Sequence, residues 1–223
     1  MRMSGARFIA ETLKGYGVTH VFFVEAILRR GLVEMEKLGI NRVLTHSEKA
    51  AAYMADGYAR ISHRPGICMC QSVGGANLAS GLQDPYLGLS PVIAITGRKP
   101  PIAQHRNAYQ EIDHYVMFQP VTKYNVIVEV IEQLPYLLRQ AFREATSGSP
   151  GPVHLDVIGA EGEVTALAEA DLEIIVEDTF VHYPSVRPEP DMACVREAAR
   201  VIEDAERPVI VAGGASDRSY ATS

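Results

Sequence analysis

Glu48 is the residue whose position most invites chemistry. It lies in "RVLTHSEKAAAYMADGYARIS", residues 42–62, where a strand-like run turns abruptly into an alanine-rich helix. Two roles are open for it. In one, Ser47 caps the helix and Glu48, in its first turn, complements the helix macrodipole. In the other, burial at the start of a closely packed helix desolvates the carboxylate and raises its pKa toward neutrality, where it can exchange protons as a general acid or base. The face formed by Ala51, Ala52, Ala55, Tyr58 and Ala59 predicts close packing of this helix on another element.

A second candidate is "QSVGGANLASG", residues 71–81, which contains Ser72, Gly74 and Asn77. It reads as a glycine-rich loop before a helix, suited either to cradling an anion or to close backbone approach. It has neither the Walker lysine nor the G-x-G-x-x-G spacing. Cys68 and Cys70 read as a buried thiol and an opposite-face neighbour, because no second Cys/His pair at ligand spacing accompanies them. The seven histidines are scattered, with no H-E-x-x-H, and no G-x-S-x-G elbow marks a nucleophile.

These residues need a scaffold, and the chain alternates short apolar runs with helical ones. Helices are predicted over about residues 5–15, 29–39, 47–63, 130–148 and within 74–88; strands over 20–27, 41–46, 64–72, 90–97, 123–129 and 151–158. Pro135 is expected in the first turn of its helix. The fold class is therefore α/β, a parallel sheet with helices on both faces, and the near-continuous apolar strands fit burial on both sides. In such sheets ligands bind beyond the carboxyl ends of the strands. That edge carries Glu25, the His46–Ser47–Glu48 turn, the 71–77 segment and the 97–113 segment.

Around Gly159 the pattern breaks. Residues 161–190 are acidic, end in prolines and read as a linker between domains; residues 191–223 restart the alternation with a helix over about 191–204 and a strand at 208–214. One helix and one strand cannot bury a core, so this segment is expected to be the start of a second, truncated α/β domain, and residues 1–160 the first domain.

Bulk composition narrows the function classes. With 21 Lys and Arg against 27 Asp and Glu, the formal charge is −6, which argues against a nucleic-acid partner. Three cysteines cannot build a disulfide framework and point to a reducing, cytoplasmic setting. The N-terminus lacks the unbroken apolar stretch of a signal peptide, and no run approaches the roughly 20 apolar residues of a membrane-spanning helix.

Five blocks, "GYGVTHVF", "THSEKAAAYMADGYAR", "GGANLASGLQDPYLGLSPVIAITG", "AYQEIDHYVMFQPVTKYN" and "GSPGPVHLDV", follow one another as in the N-terminal, pyrimidine-binding domain of thiamine-diphosphate enzymes. The chain resembles the acetolactate synthase, benzaldehyde lyase and oxalyl-CoA decarboxylase group over about residues 4–160. The resemblance implies that Glu48 bonds a ring nitrogen of the cofactor's aminopyrimidine and drives its proton traffic. It implies that Gln110 approaches the substrate side of the thiazolium, and that Ser72, Gly74 and Asn77 line the pyrimidine pocket. A plain loop amide bonding backbone is the competing reading of Gln110.

The resemblance further implies thiamine diphosphate as cofactor, a 2-oxo acid or related carbonyl substrate, and a homodimer or homotetramer in which the alanine face after Glu48 supplies a helix–helix contact. Mg2+ would be bound with the diphosphate by a G-D-G…N region that has no counterpart here; FAD is left open, because it would involve the central region. One departure stands out: "FFVEAILRRG" lacks the Pro-Gly common after the first strand. Three readings follow: the pyrimidine half of an enzyme making or breaking carbon–carbon bonds next to a carbonyl, a non-catalytic or partner-binding homologue, or one chain of a two-chain enzyme.

Overall fold

Period-two alternation sorts the strand side chains onto two faces of one sheet. The computed structural model describes residues 1–159 and 162–211. Within them lie β1 (Arg2–Ser4), α1 (Gly5–Gly15), β2 (His20–Phe23), α2 (Arg29–Lys37), β3 (Asn41–Leu44), α3 (Glu48–Ser62), β4 (Gly66–Gln71), α4 (Gly74–Gly81), α5 (Gln83–Leu87), β5 (Val92–Arg98), α6 (His114–Phe118), β6 (Tyr124–Val128), α7 (Leu134–Thr146), β7 (Val153–Ile158), α8 (Glu163–Leu167), β8 (Glu169–Asp171) and α9 (Met192–Glu203). Six strands form a sheet in the order β3-β2-β4-β5-β7-β6, and every neighbouring pair is parallel. This is the expected α/β architecture.

The two faces differ in content. Val21, Phe23, Ile67, Met69, Ile93, Ile95, Val153, Leu155 and Val157 point into a large core with residues of α1, α2 and α7, including Phe8, Leu13, Met35 and Phe142. The intervening residues Phe22, Cys68, Cys70, Val92 and Ala94 point the other way, onto Ala51, Ala52 and Ala55 of α3, Leu78 of α4 and Phe118 of α6. Cys68 and Cys70 therefore share a face, contrary to the sequence reading: residues two apart on a strand project the same way. Burial pushes both thiols up from their ordinary pKa.

The alanines of α3 are also reassigned. Ala51, Ala52, Ala55 and Ala59 are fully buried within the chain. A Cβ on Gly66 would lie 2.1 Å from the Ala55 carbonyl oxygen, and one on Gly81 would lie 2.7 Å from the Ala52 Cβ. The small residues thus let α3 settle against β4 and α4. They are not available as a subunit contact, and the outward face of α3 carries Tyr53 and Met54 instead.

Pro135 stands at the start of α7, as expected. The segment read as a linker from 161 is ordered differently. β8 pairs antiparallel with β1, and Ala166, Ala170, Leu172 and Tyr183 are buried. The first compact unit consequently runs to Ser185, not to about 160. Its acidic composition hid this, because apolar anchors every few residues suffice to hold an irregular strap. In the second unit, α9 is capped by Asp191, whose Oδ1 accepts from the Ala193 N–H at 2.8 Å. Residues 208–211 form no strand, and the rest of the strand expected at 208–214 lies outside the described residues. Among the described residues no helix is long and apolar enough to cross a membrane.

Candidate active site

The carboxyl edge of the sheet concentrates unusual backbone. Six of the eight non-glycine residues with positive φ among the described residues lie there: Ala26 and Leu28 after β2, Ser72 after β4, and His105, Asn107 and Gln110 after β5. Left-handed backbone costs a non-glycine residue about 1–2 kcal/mol, and such strain gathers at ligand-binding edges.

Glu48 opens α3 on this edge. Ser47 caps the helix by accepting from the Ala50 N–H at 3.2 Å, so the bland capping role belongs to Ser47 and leaves the Glu48 side chain to other contacts. Glu48 is half-buried. Its Oε2 accepts from the Asn77 side-chain amide at 3.1 Å. Gly74 stands beside its other oxygen: a Cβ there would come within 2.6 Å of Oε1. Glu48, Gly74 and Asn77, drawn from two separate sequence blocks, thus form one corner.

The predicted glycine-rich loop is shorter than expected, since α4 already begins at Gly74. The turn before it is made by Ser72, buried and at φ 42°. The Ser72 N–H donates to the Gly97 carbonyl at 3.0 Å, tying the turn to the end of β5. Gln110 is not bonded to this corner. It sits at φ 59° in the segment after β5, and its Nε2 donates to the Tyr109 hydroxyl at 3.0 Å. That segment borders a cleft of about 370 Å³ lined by Arg98, Lys99, Gln104, His105, Glu111, Ile112 and Asp113.

Beneath the Ser72 turn lies a polar cluster that the sequence reading missed. His114, His154, Thr96 and Asp156 are all buried. His114 Nε2 donates to the Ser72 carbonyl at 2.7 Å, and its Nδ1 faces Asp156 Oδ1 at 2.9 Å. Thr96 Oγ1 lies 2.8 Å from Asp156 Oδ1 and 2.7 Å from His154 Nε2. The signal was present in "VHLDVI": His154 and Asp156, two apart, share one buried strand face where apolar residues are the rule.

The two histidines titrate in opposite directions. Burial works against the charged form of His114, but the hydrogen bond and charge of Asp156, with the Ser72 carbonyl, outweigh it and raise its pKa. Burial, then the charge of His114, push His154 well below the ordinary range. His154 stacks on Phe118 at 3.7 Å between ring centroids, an apolar contact that suits the neutral ring. Among the described residues no group of three His, Cys, Asp or Glu side chains could hold a metal ion.

A comparison of sequences places this geometry. Residues 3–117, just over half of the chain, match the family described as "Thiamine pyrophosphate enzyme, N-terminal TPP binding domain". A probable acetolactate synthase large subunit of Methanocaldococcus jannaschii is 37% identical over 95% of this chain and 36% of its own length. The acetolactate synthase isozyme 1 large subunit of Escherichia coli is 33% identical over 96% of this chain and 37% of its own. An acetolactate synthase of Arthrospira platensis is 34% identical, with 96% of this chain and 37% of that protein covered. The chain therefore spans little more than a third of the length of these relatives. It belongs to the thiamine pyrophosphate enzyme family, and the part of that family it represents is the N-terminal, cofactor-binding domain.

Proposed function

We propose that this chain supplies the pyrimidine-side half of a thiamine-diphosphate site in an enzyme that makes or breaks carbon–carbon bonds next to a carbonyl. The observation that carries the reading is the Glu48 corner: a carboxylate at a strand end, oriented by Asn77 at 3.1 Å and lying so close to Gly74 that a Cβ there would come within 2.6 Å of Oε1. A ring nitrogen of a heterocycle needs such a partner. When bound, thiamine diphosphate supplies an acidic thiazolium C–H and an electron sink for carbonyl chemistry.

The chain's own contribution is placement and proton handling. Glu48 holds or releases a proton at its carboxylate. Asn77 fixes the rotamer of Glu48, and Gly74, having no side chain, lets the carboxylate lie close against the start of α4. Ser72 shapes the turn, and Gln110 presents an amide from the segment on the substrate side. Mg2+ and the diphosphate are assigned to residues beyond those described, and no FAD ligand is assigned here. The acetolactate synthase relatives favour a 2-oxo acid as substrate. Tyr53 and Met54 on α3 and Tyr86 and Leu87 on α5 are exposed apolar residues; they, not the alanines, are the surface proposed for a homodimer or homotetramer, and the proposed setting is cytoplasmic. The domain order extends the same way, with residues 191–223 opening a central α/β domain.

The test is Glu48→Gln in the complete protein. The amide preserves shape but cannot take up or release the proton, so thiamine-dependent turnover is expected to fall by at least a thousandfold with an unchanged circular dichroism spectrum. Undiminished turnover overturns the proton role. A non-catalytic homologue is the second reading. The loop after β2 favours it, with Ala26 and Leu28 held at φ 77° and 45° where the family commonly has Pro-Gly. Absence of any thiamine-dependent turnover in the wild type, with cofactor bound, would select it.

A further inference from the structure

We infer that His114 is a positioning residue: with Asp156 it forms a buried, titratable clamp that grips the Ser72 carbonyl and so fixes the turn presenting Gly74 and Asn77 to Glu48. The inference rests on the proposed function for its catalytic meaning, but its geometry stands alone.

Proton counting defines the clamp. The Ser72 carbonyl accepts from His114 Nε2 at 2.7 Å, which requires a proton on Nε2. His114 Nδ1 stands 2.9 Å from Asp156 Oδ1, and that contact also requires a proton. Histidine and aspartate therefore hold two protons between them, the second on the line joining Nδ1 and Oδ1. An imidazolium facing a carboxylate is the arrangement favoured by the raised pKa of His114. Loss of one proton leaves a neutral imidazole with a single N–H, which can serve the Asp156 carboxylate or the Ser72 carbonyl but not both.

The surroundings are ordered to keep this arrangement. Asn125 donates its amide N–H to the Tyr115 carbonyl at 2.6 Å, which turns its Oδ1 toward His154 Nδ1 at 2.7 Å. His154 therefore carries its proton on Nδ1 and presents Nε2 to Thr96 as an acceptor. Thr96 Oγ1 also lies 3.1 Å from His114 Nδ1, where it can accept from the protonated ring, and its single hydroxyl proton serves Asp156 Oδ1 or His154 Nε2. Arg98 brings its Nε to 3.8 Å from Asp156 Oδ2, an oxygen without a hydrogen-bond partner among the described residues. The groups facing His114 are thus Asp156, His154, Thr96 and Arg98 from β7 and β5, the Ser72 carbonyl, and Gly75, where a Cβ would lie 2.7 Å from the imidazole. On its own helix, Phe118 meets the ring edge-on at 6.2 Å.

The mechanical link is short. The Ser72 carbonyl accepts both His114 Nε2–H and the Gly75 N–H, the latter at 2.9 Å. The same turn of chain leads to Asn77, the donor to Glu48. In the neutral ring the one remaining proton stays on Nδ1, held by the charge-assisted bond to the Asp156 carboxylate, so Nε2 turns a bare lone pair toward the Ser72 carbonyl and the turn loosens.

The test has two arms on the protein at its full length. In the first, without cofactor, amide exchange of residues 73–77 is followed from pH 6 to 9 and corrected for its intrinsic pH dependence. Protection is expected to fall at least tenfold as pH rises through the raised His114 pKa. In the second, the dissociation constant for thiamine diphosphate is measured over the same range for wild type and His114→Gln. The wild type is expected to weaken at least tenfold toward alkaline pH, while the glutamine, a donor that does not titrate, gives a flat profile. PH-independent protection together with superimposable binding profiles overturns the clamp. If the wild type binds no thiamine diphosphate, the proposed function fails, and the exchange arm still decides the clamp by itself.

Discussion

The two faces of the sheet follow different rules. The face toward α1, α2 and α7 is packed with Ile, Leu, Val, Met and Phe. The face toward α3, α4 and α6 carries alanine and cysteine, and then, on β5 and β7, Thr96, His154 and Asp156. Both faces are closed to water, so burial alone does not separate them. What separates them is replaceability. Aliphatic packing tolerates changes that conserve volume, whereas a buried polar network fails if one partner is missing. One face supplies most of the burial that holds the domain together. The other holds the turn that carries the candidate site.

The largest expected effect probes the aliphatic face. Phe142 is fully buried and stacks on Tyr16 at 3.8 Å. Phe142→Ala should cost about 3–5 kcal/mol, read from urea unfolding, while cofactor affinity in the surviving folded fraction stays within twofold. A large affinity loss without a stability loss would erase the distinction between the faces.

Gly74→Ala probes the other face. Its Cβ would crowd Glu48 Oε1, so thiamine-diphosphate affinity should drop at least tenfold, about 1.4 kcal/mol, with a smaller change in stability. Equal losses in both would make Gly74 a packing residue.

The pH dependence of stability sharpens the contrast further. His114 has a raised folded pKa, so its contribution is full below the unfolded value of about 6.5 and is lost as pH rises through the folded value. His154 has a depressed folded pKa, so the folded state loses stability as pH falls below about 6.5, where the unfolded ring gains a proton. The pair therefore favours a maximum near pH 6.5. His154→Leu should flatten the acid side and His114→Gln the alkaline side, measured as unfolding free energy against pH; no change in either slope would contradict the assigned protonation states.

The smallest effect lies outside both faces. Ala26→Gly relieves a left-handed alanine at φ 77° and should raise stability by up to about 1 kcal/mol. A loss of stability would mean that the methyl group makes a contact worth more than the strain.

Much of the fold was legible because it follows local rules. Six apolar runs became six strands, Pro135 marked the start of α7, and Ser47 capped α3. The Glu48 block was legible from its abrupt strand-to-helix junction. One error came from reading a face without its neighbours. The alanines of α3 match Gly66 and Gly81 inside the chain, and a small-residue stripe looks the same whether its partner is internal or another subunit. The His114 clamp was invisible for a related reason: its members lie 42 residues apart in sequence, and only the parallel pairing of β5 with β7 brings Thr96 opposite Asp156. The strap from 162 to 185 escaped notice because its anchors are too sparse to make a period.

The most direct measurement of the central claim is a structure of the complete protein with thiamine diphosphate bound. The Glu48 carboxylate should lie at hydrogen-bond distance, about 2.6–3.0 Å, from a pyrimidine ring nitrogen, with Asn77 still donating to it. A carboxylate turned to solvent while the pyrimidine sits elsewhere would contradict the account.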